Sequence, residues 1–270
     1  MADLRNFFPN EEMYNKVLST KKTVLNCSFE DEGELALTAS KAGGVGYLPK
    51  SESYPVNEDG QPMSLLAQIN FSEMPAIPMY PETGLLAFYI DTFDDLLGLD
   101  FDDQMNTAGF RVFYFENLDA EAYSREDVAA LFQVFAADEH YGVVDKEMKM
   151  TGELATQVLV NDSYPFEQVY GTEFYEYFEE TFGDQADDQM DALFELEHTS
   201  GSRLGGYPYF TQEDPRKYAE EVTHTELLFQ LDSDFGSIMW GDSGVGNFFI
   251  TKEDLLNRDF SRVMYNWDCM

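Results

Sequence analysis

The sequence predicts an α+β fold built on an internally duplicated, mostly antiparallel β-sheet with peripheral helices. Three observations carry that expectation. Five short blocks recur in the same order near the two ends of the chain, the recurring segments hold apolar residues in strand-like runs, and helix start signals accompany them.

The repeat governs every later assignment. Gly43-Gly44 recurs as Gly205-Gly206, followed by Tyr47 and Tyr209. Leu65-Leu66-Ala67-Gln68-Ile69-Asn70 returns as Leu227-Leu228-Phe229-Gln230-Leu231-Asp232 at the same spacing from the glycines. Gly84 with Phe88-Tyr89-Ile90 matches Gly244 with Phe248-Phe249-Ile250, and Asp95-Leu96-Leu97 matches Asp254-Leu255-Leu256. Arg111-Val112-Phe113-Tyr114 then answers Arg262-Val263-Met264-Tyr265. Copy one therefore spans 41–115, copy two spans 203–266, and an unmatched acidic insert, 116–200, lies between them. With no low-complexity linker visible, one compact domain over 1–270 is expected, with the copies packed on each other.

The elements follow in order. Pro9 to Lys22 reads as a short helix: Asn10 can cap it, Glu11 and Glu12 lie in its first turn, and Met13, Val17 and Leu18 share a face. From Val24 the pattern turns strand-like through Cys27 and Phe29, then Leu35 and Leu37, around a turn at Glu32-Gly33. Within each copy a glycine turn leads to an apolar strand, a loop, an aromatic strand, a short helix and a final strand. Thr92 with Asp95, and Thr251 with Asp254, have the spacing of a capping box for those short helices. Apolar runs without clean alternation point to strands covered on both faces.

The insert has its own signals. Ser124 with Asp127 can cap a helix carrying Val128, Leu131, Phe132 and Phe135, and Glu147 to Val160 is strand-like. Phe174, Phe178 and Phe182 mark the buried stripe of a helix whose Glu173, Glu176 and Glu180 face water. Asp184 to Glu197 reads as a further acidic helix with Met190, Leu193 and Phe194 inward.

Composition excludes several functions. The chain has 270 residues, 44% of them hydrophobic, with 23 Phe and 16 Tyr, so its net charge of −36 belongs to a folded surface rather than to disorder. Residues 51–110 hold eleven Asp and Glu, and residues 151–202 hold thirteen, with no Lys or Arg in either stretch. Such a surface repels phosphate backbones and anionic lipid, so neither nucleic acid nor membrane is an expected partner. It serves either solubility or docking of a basic protein. Cys27 and Cys269 stand far apart with no C-x-x-C spacing, which suits a reducing compartment. The start, Met1 to Pro9, is too short and too polar for a signal peptide, and no apolar run has membrane-spanning length, so the cytoplasm is the expected location.

The motifs now assembled resemble the YwqG-like family of bacterial proteins, a domain family of unknown function, over nearly the whole chain. The resemblance rests on Gly43-Gly44-Val45-Gly46-Tyr47-Leu48-Pro49, Leu66-Ala67-Gln68-Ile69-Asn70, and Arg203-Leu204-Gly205-Gly206-Tyr207-Pro208 leading to Gln212 and Asp214. It continues through Gln230-Leu231-Asp232-Ser233-Asp234, Met239-Trp240-Gly241-Asp242 and Tyr265-Asn266-Trp267-Asp268-Cys269. Gly46 departs from the proline of many relatives. The resemblance implies a complex α+β fold with a branched, partly barrel-like sheet, and it implies no reaction.

Candidate site residues are few. Trp240-Gly241-Asp242-Ser243-Gly244 could form a ligand-binding loop, or an Asx-type turn with Trp240 in the core. Gln68 and Gln230 sit at equivalent points of apolar strands; they either line a shared pocket or bond neighbouring backbone and join the sheet. Arg203 could hold a carboxylate ligand or pair with a local acid. The glycines Gly43, Gly44, Gly205 and Gly206 read as positive-φ turns or close packing, since no phosphate-loop or Rossmann spacing surrounds them. His140, His198 and His224 show no metal-ligand spacing, the acidic runs lack EF-hand spacing, and no G-x-S-x-G elbow supports a triad. No metal or cofactor is therefore expected. The leading expectation is a non-catalytic binding or interaction protein. The alternatives are a small-ligand carrier or enzyme with a cleft between the copies, lined by Gln68, Gln230, Trp240 and Asp242, and an acidic immunity protein that neutralises a basic toxin.

Overall fold

The computed structural model describes residues 3–219, 221–234 and 236–270. Met1 and Ala2, the first residues of the polar start, lie outside them.

Ten strands make one sheet: β1 (Lys22–Glu30), β2 (Lys41–Ala42), β3 (Ser64–Asn70), β4 (Leu85–Ile90), β5 (Phe110–Phe115), β6 (Met148–Gln157), β7 (Arg203–Gly205), β8 (Glu226–Asp232), β9 (Val245–Ile250) and β10 (Met264–Asp268). Their order is β10-β9-β8-β7-β1-β6-β2-β3-β4-β5, with antiparallel neighbours throughout. β2 to β5 form one wing and β7 to β10 the other. The β1–β6 pair joins them, in register from Lys22 opposite Gln157 to Glu30 opposite Lys149. β1 precedes the first wing in sequence yet pairs with β7 of the second, and β6 precedes the second wing yet pairs with β2 of the first. Each wing is thus anchored on the strand that leads into the other.

The sheet runs as a single ladder, without the branch that was expected, and it curls instead. Both wings carry a register shift at the same place, between Leu65 and Ala67 against β4 and between Leu227 and Phe229 against β9. Such bulges bend the strand and raise its twist, which brings the wings face to face. Phe88 then packs on Phe229 and Phe248 at 5.0 and 4.7 Å between ring centroids, and Phe110 of β5 meets Tyr265 of β10 at 5.3 Å. The result is an α+β fold with a nearly closed, partly barrel-like sheet. Every residue of β4 and β9 is buried, in keeping with their unbroken apolar runs.

The helices are α1 (Glu11–Ser19), α2 (Arg125–Gln133), α3 (Pro165–Tyr170), α4 (Phe174–Phe182), α5 (Ala186–Glu197) and α6 (Lys252–Asn257). Asn10 caps α1 by accepting from the Glu12 and Met13 amides, and Ser124 with Asp127 forms a full capping box on α2. Phe174, Phe178 and Leu193 of α4 and α5 join Phe8 and Val17 in an apolar cluster of their own, fully buried beside the sheet. No helix among the described residues is long and apolar enough to cross a membrane.

Two local expectations are corrected. Leu35 and Leu37 lie in irregular chain rather than a strand, because side chains hold that segment instead of a ladder: Glu147 accepts from the Leu35 amide, and Gln68 donates to the Leu37 carbonyl. Thr92 caps no helix. Its hydroxyl is engaged by Ser64 and His140, and residues 93–98 close as turns ending at Gly98, whose φ of +79° and backbone contact with Gly109 leave no room for a side chain. Thr251, free of such competitors, does accept from the Asp254 amide and starts α6.

Candidate functional site

The two glutamines occupy matching positions. Gln68 Oε1 accepts from the Tyr47 amide at 2.9 Å, and Gln230 Oε1 accepts from the Tyr209 amide at 2.7 Å. Gln68 Nε2 donates to the carbonyls of Leu37 and Ala39, and Gln230 Nε2 to that of Gly201. Both are fully buried. Two further pairs follow the same rule. Ser40 and Ser202 accept from the amides of Asn70 and Asp232, and Lys41 and Arg203 are buried cations that donate to backbone carbonyls. The glycine pairs hold φ of +67° and +69° in the first wing and +69° and +75° in the second. A Cβ on Gly44 would strike Glu147, and one on Gly206 would strike Gln157.

Arg203 donates to the carbonyls of His198, Ser200 and Gly201, the chain leaving α5, and among the described residues it makes no ion pair. Burial lowers its pKa to about 10 against the pull of Asp232. Trp240 is buried and stacks on Trp267 at 5.9 Å between centroids, while Asp242 is exposed on the neighbouring turn. The structure therefore does not bring Gln68, Gln230, Trp240 and Asp242 into a common cleft. The rings of Phe88, Phe229 and Phe248 fill the space between the wings, where apolar surface from both sides is removed from water.

A large concavity lies elsewhere. A groove of about 670 Å³ opens between the starts of α3 and α4 and residues from 213–219 and 222–225. Arg216 in its lining is buried and pairs with the buried Asp214: Nε and Nη2 reach the two carboxylate oxygens at 2.9 and 2.7 Å. Asp214 also accepts from the Tyr164 amide, tying the segment to the start of α3. The guanidinium lies between the rings of Tyr164 and Phe249, 4.7 and 3.9 Å from their centroids. A bidentate, stacked arginine of this kind is fully engaged.

The groove's second cation, Lys217, is bonded to Asp162. Burial raises the Asp162 carboxyl above the usual carboxylate range despite Lys217, and Glu173 and Glu213 add to the rise. Beside the exposed Lys217 the groove presents Glu167, Glu173 and Glu213, all exposed, with Tyr175 52% and Tyr218 74% exposed.

A family model described as a domain of unknown function, DUF1963, matches residues 40–269. The chain belongs to the DUF1963 family. The match begins at Ser40, the first of the paired polar residues, and covers both wings of the sheet and the groove. No curated protein matches this DUF1963 chain.

The groove leaves little trace in the sequence because its tyrosines come from distant segments that no motif links; the nearest signal is Asp214, which pairs with Arg216 two residues on. Among the described residues no three His, Cys, Asp or Glu side chains gather as a metal site would require.

Proposed function

We propose that this protein is a non-catalytic binding protein that takes a basic protein partner on the acidic groove between α3, α4 and residues 213–219 and 222–225. The observation that supports this reading is the state of the groove's own charges. Arg216 and Lys217 are neutralised by Asp214 and Asp162, leaving Glu167, Glu173 and Glu213 beside exposed tyrosine rings. Arginine or lysine side chains suit such a lining: carboxylates attract them, and the ring faces receive them by cation–π contact worth about 0.5–1 kcal/mol at exposed sites. The net charge of −36 would steer a cationic partner toward the surface and make its capture salt-dependent. Within its family we place the chain in the YwqG-like, bacterial branch on the motifs quoted above, and we assign it to the cytoplasm.

Affinity capture from native cells, at low and then moderate salt, tests the proposal. The comparison uses wild type, a groove variant (Glu173→Gln, Glu213→Gln, Tyr218→Ala) and a control that neutralises exposed acids elsewhere (Glu52→Gln, Glu58→Gln). A basic protein retained at low salt by wild type and control, and lost by the groove variant, is the expected result. Recovery of no salt-sensitive partner, or equal retention by the groove variant, would overturn it.

A further inference from the structure

The two wings carry concavities at their glycine pairs, and these differ in chemistry. In the second wing, a groove of about 240 Å³ beside Gly205 and Gly206 contains Glu226, ion-paired to Lys22 at 3.4 Å. In the first wing, the residue matching Glu226 is Ser64, and the cavity beside Gly43 and Gly44, about 120 Å³, has among the described residues no carboxylate or ammonium in its lining. Its walls are apolar, from Leu65, Leu66, Ile90, Val128 and Phe132. Its polar groups converge: Thr92 Oγ1 lies 2.7 Å from Ser64 Oγ and 2.8 Å from His140 Nε2, and Ser64 Oγ lies 3.4 Å from the same Nε2. The imidazole is held edge-on by Phe93 and Phe132, at 5.3 and 6.2 Å between centroids. A mostly apolar pocket with a few convergent polar groups is the usual form of a small-molecule site.

The hydrogen-bond inventory selects the ligand. If Nε2 accepts, the Thr92 and Ser64 protons are taken up by Nε2 and by one another, and Ser64 has only lone pairs left to offer. If Nε2–H donates to Thr92, the chain reverses and Ser64 has its proton to offer. A ligand hydroxyl satisfies either polarity, because it both donates and accepts. A carboxylate or an ammonium satisfies one only and would bring an unpaired charge into an uncharged lining. Volume caps the size: at about 120 Å³ the cavity is somewhat smaller than the roughly 150 Å³ apolar cavity that accommodates benzene, which limits the ligand body to about one small ring.

We propose that the cavity at the first glycine pair binds a small uncharged hydroxyl compound, with an apolar body against the Leu66–Phe132 wall and its hydroxyl on Ser64 of the Ser64–Thr92–His140 cluster. This site is separate from the acidic groove and stands whether or not that groove takes a basic partner.

The test uses the full-length protein, with phenol and toluene as probes in ligand-observed and protein-observed NMR titrations. Phenol should bind saturably with a dissociation constant on the order of a millimolar, shifting the amide resonances of Thr92, His140 and Gly142. Ser64→Ala, which removes one hydroxyl and no wall, should move the ratio of phenol to toluene affinity about five- to tenfold toward toluene. Val128→Phe, which fills the cavity from α2, should abolish binding of both. No saturable phenol binding to wild type, shifts confined to another surface, or an unchanged affinity ratio in Ser64→Ala would each overturn the proposal.

Discussion

Gln68 and Gln230 show what a single residue can disclose. A primary amide in an apolar strand must find partners once buried, so each glutamine was expected either in a pocket or bonded to backbone. Both bond backbone, and they do so with matching atoms. The number of bonds differs: Gln68 serves the Tyr47 amide and two carbonyls, Gln230 the Tyr209 amide and one carbonyl. Each buried group left unpaired costs about 1–3 kcal/mol. Gln68→Leu should therefore destabilise by about 3 kcal/mol and Gln230→Leu by about 2 kcal/mol in urea unfolding. Equal and negligible losses would contradict the bonding described. His140 makes a pH-dependent prediction. Burial lowers its pKa from 6.5, opposed by Asp91, so the folded state favours the neutral ring. That contribution is present above pH 6.5 and is lost as pH falls through the lower folded-state value. Stability should decline over this interval in wild type and decline less in His140→Gln, as read by thermal unfolding at stepped pH.

At the scale of elements, capping chemistry was legible where no competitor stood nearby. Asn10, Ser124 and Thr251 start their helices as their spacing foretold, and Thr251→Ala should cost about 1 kcal/mol in chemical denaturation. Thr92 has the same local spacing and fails, because the groups that claim its hydroxyl, Ser64 and His140, lie 28 and 48 residues away along the chain. Local pattern cannot register such a competitor. The same limit hid the role of β6. Its sequence reads as a strand, yet nothing in residues 148–157 announces that it pairs with β1 on one side and β2 on the other. Pairing partners are chosen by tertiary packing, and a half-exposed strand without a distinctive motif carries little record of that choice.

For the whole molecule, the sheet depends on the contact between its wings. Phe88 is buried against Phe229 and Phe248, so Phe88→Ala should cost about 3–5 kcal/mol and lower the unfolding midpoint as seen by fluorescence and circular dichroism alike. The space between the wings is occupied by the Phe88, Phe229 and Phe248 rings, where the alternative reading placed a cleft, and a large groove lies beside α3 and α4. The acidity of the chain was legible from its first count of charges. Its concentration around Tyr175 and Tyr218 was not, since that needs the fold to bring residues 162–175 together with 213–219 and 222–225. Hydrogen–deuterium exchange on the protein with its captured basic partner addresses the central claim most directly. Protection confined to residues 162–175, 213–219 and 222–225, released as salt is raised, is the predicted result; protection on another surface, with this groove exchanging as in the free protein, would contradict it.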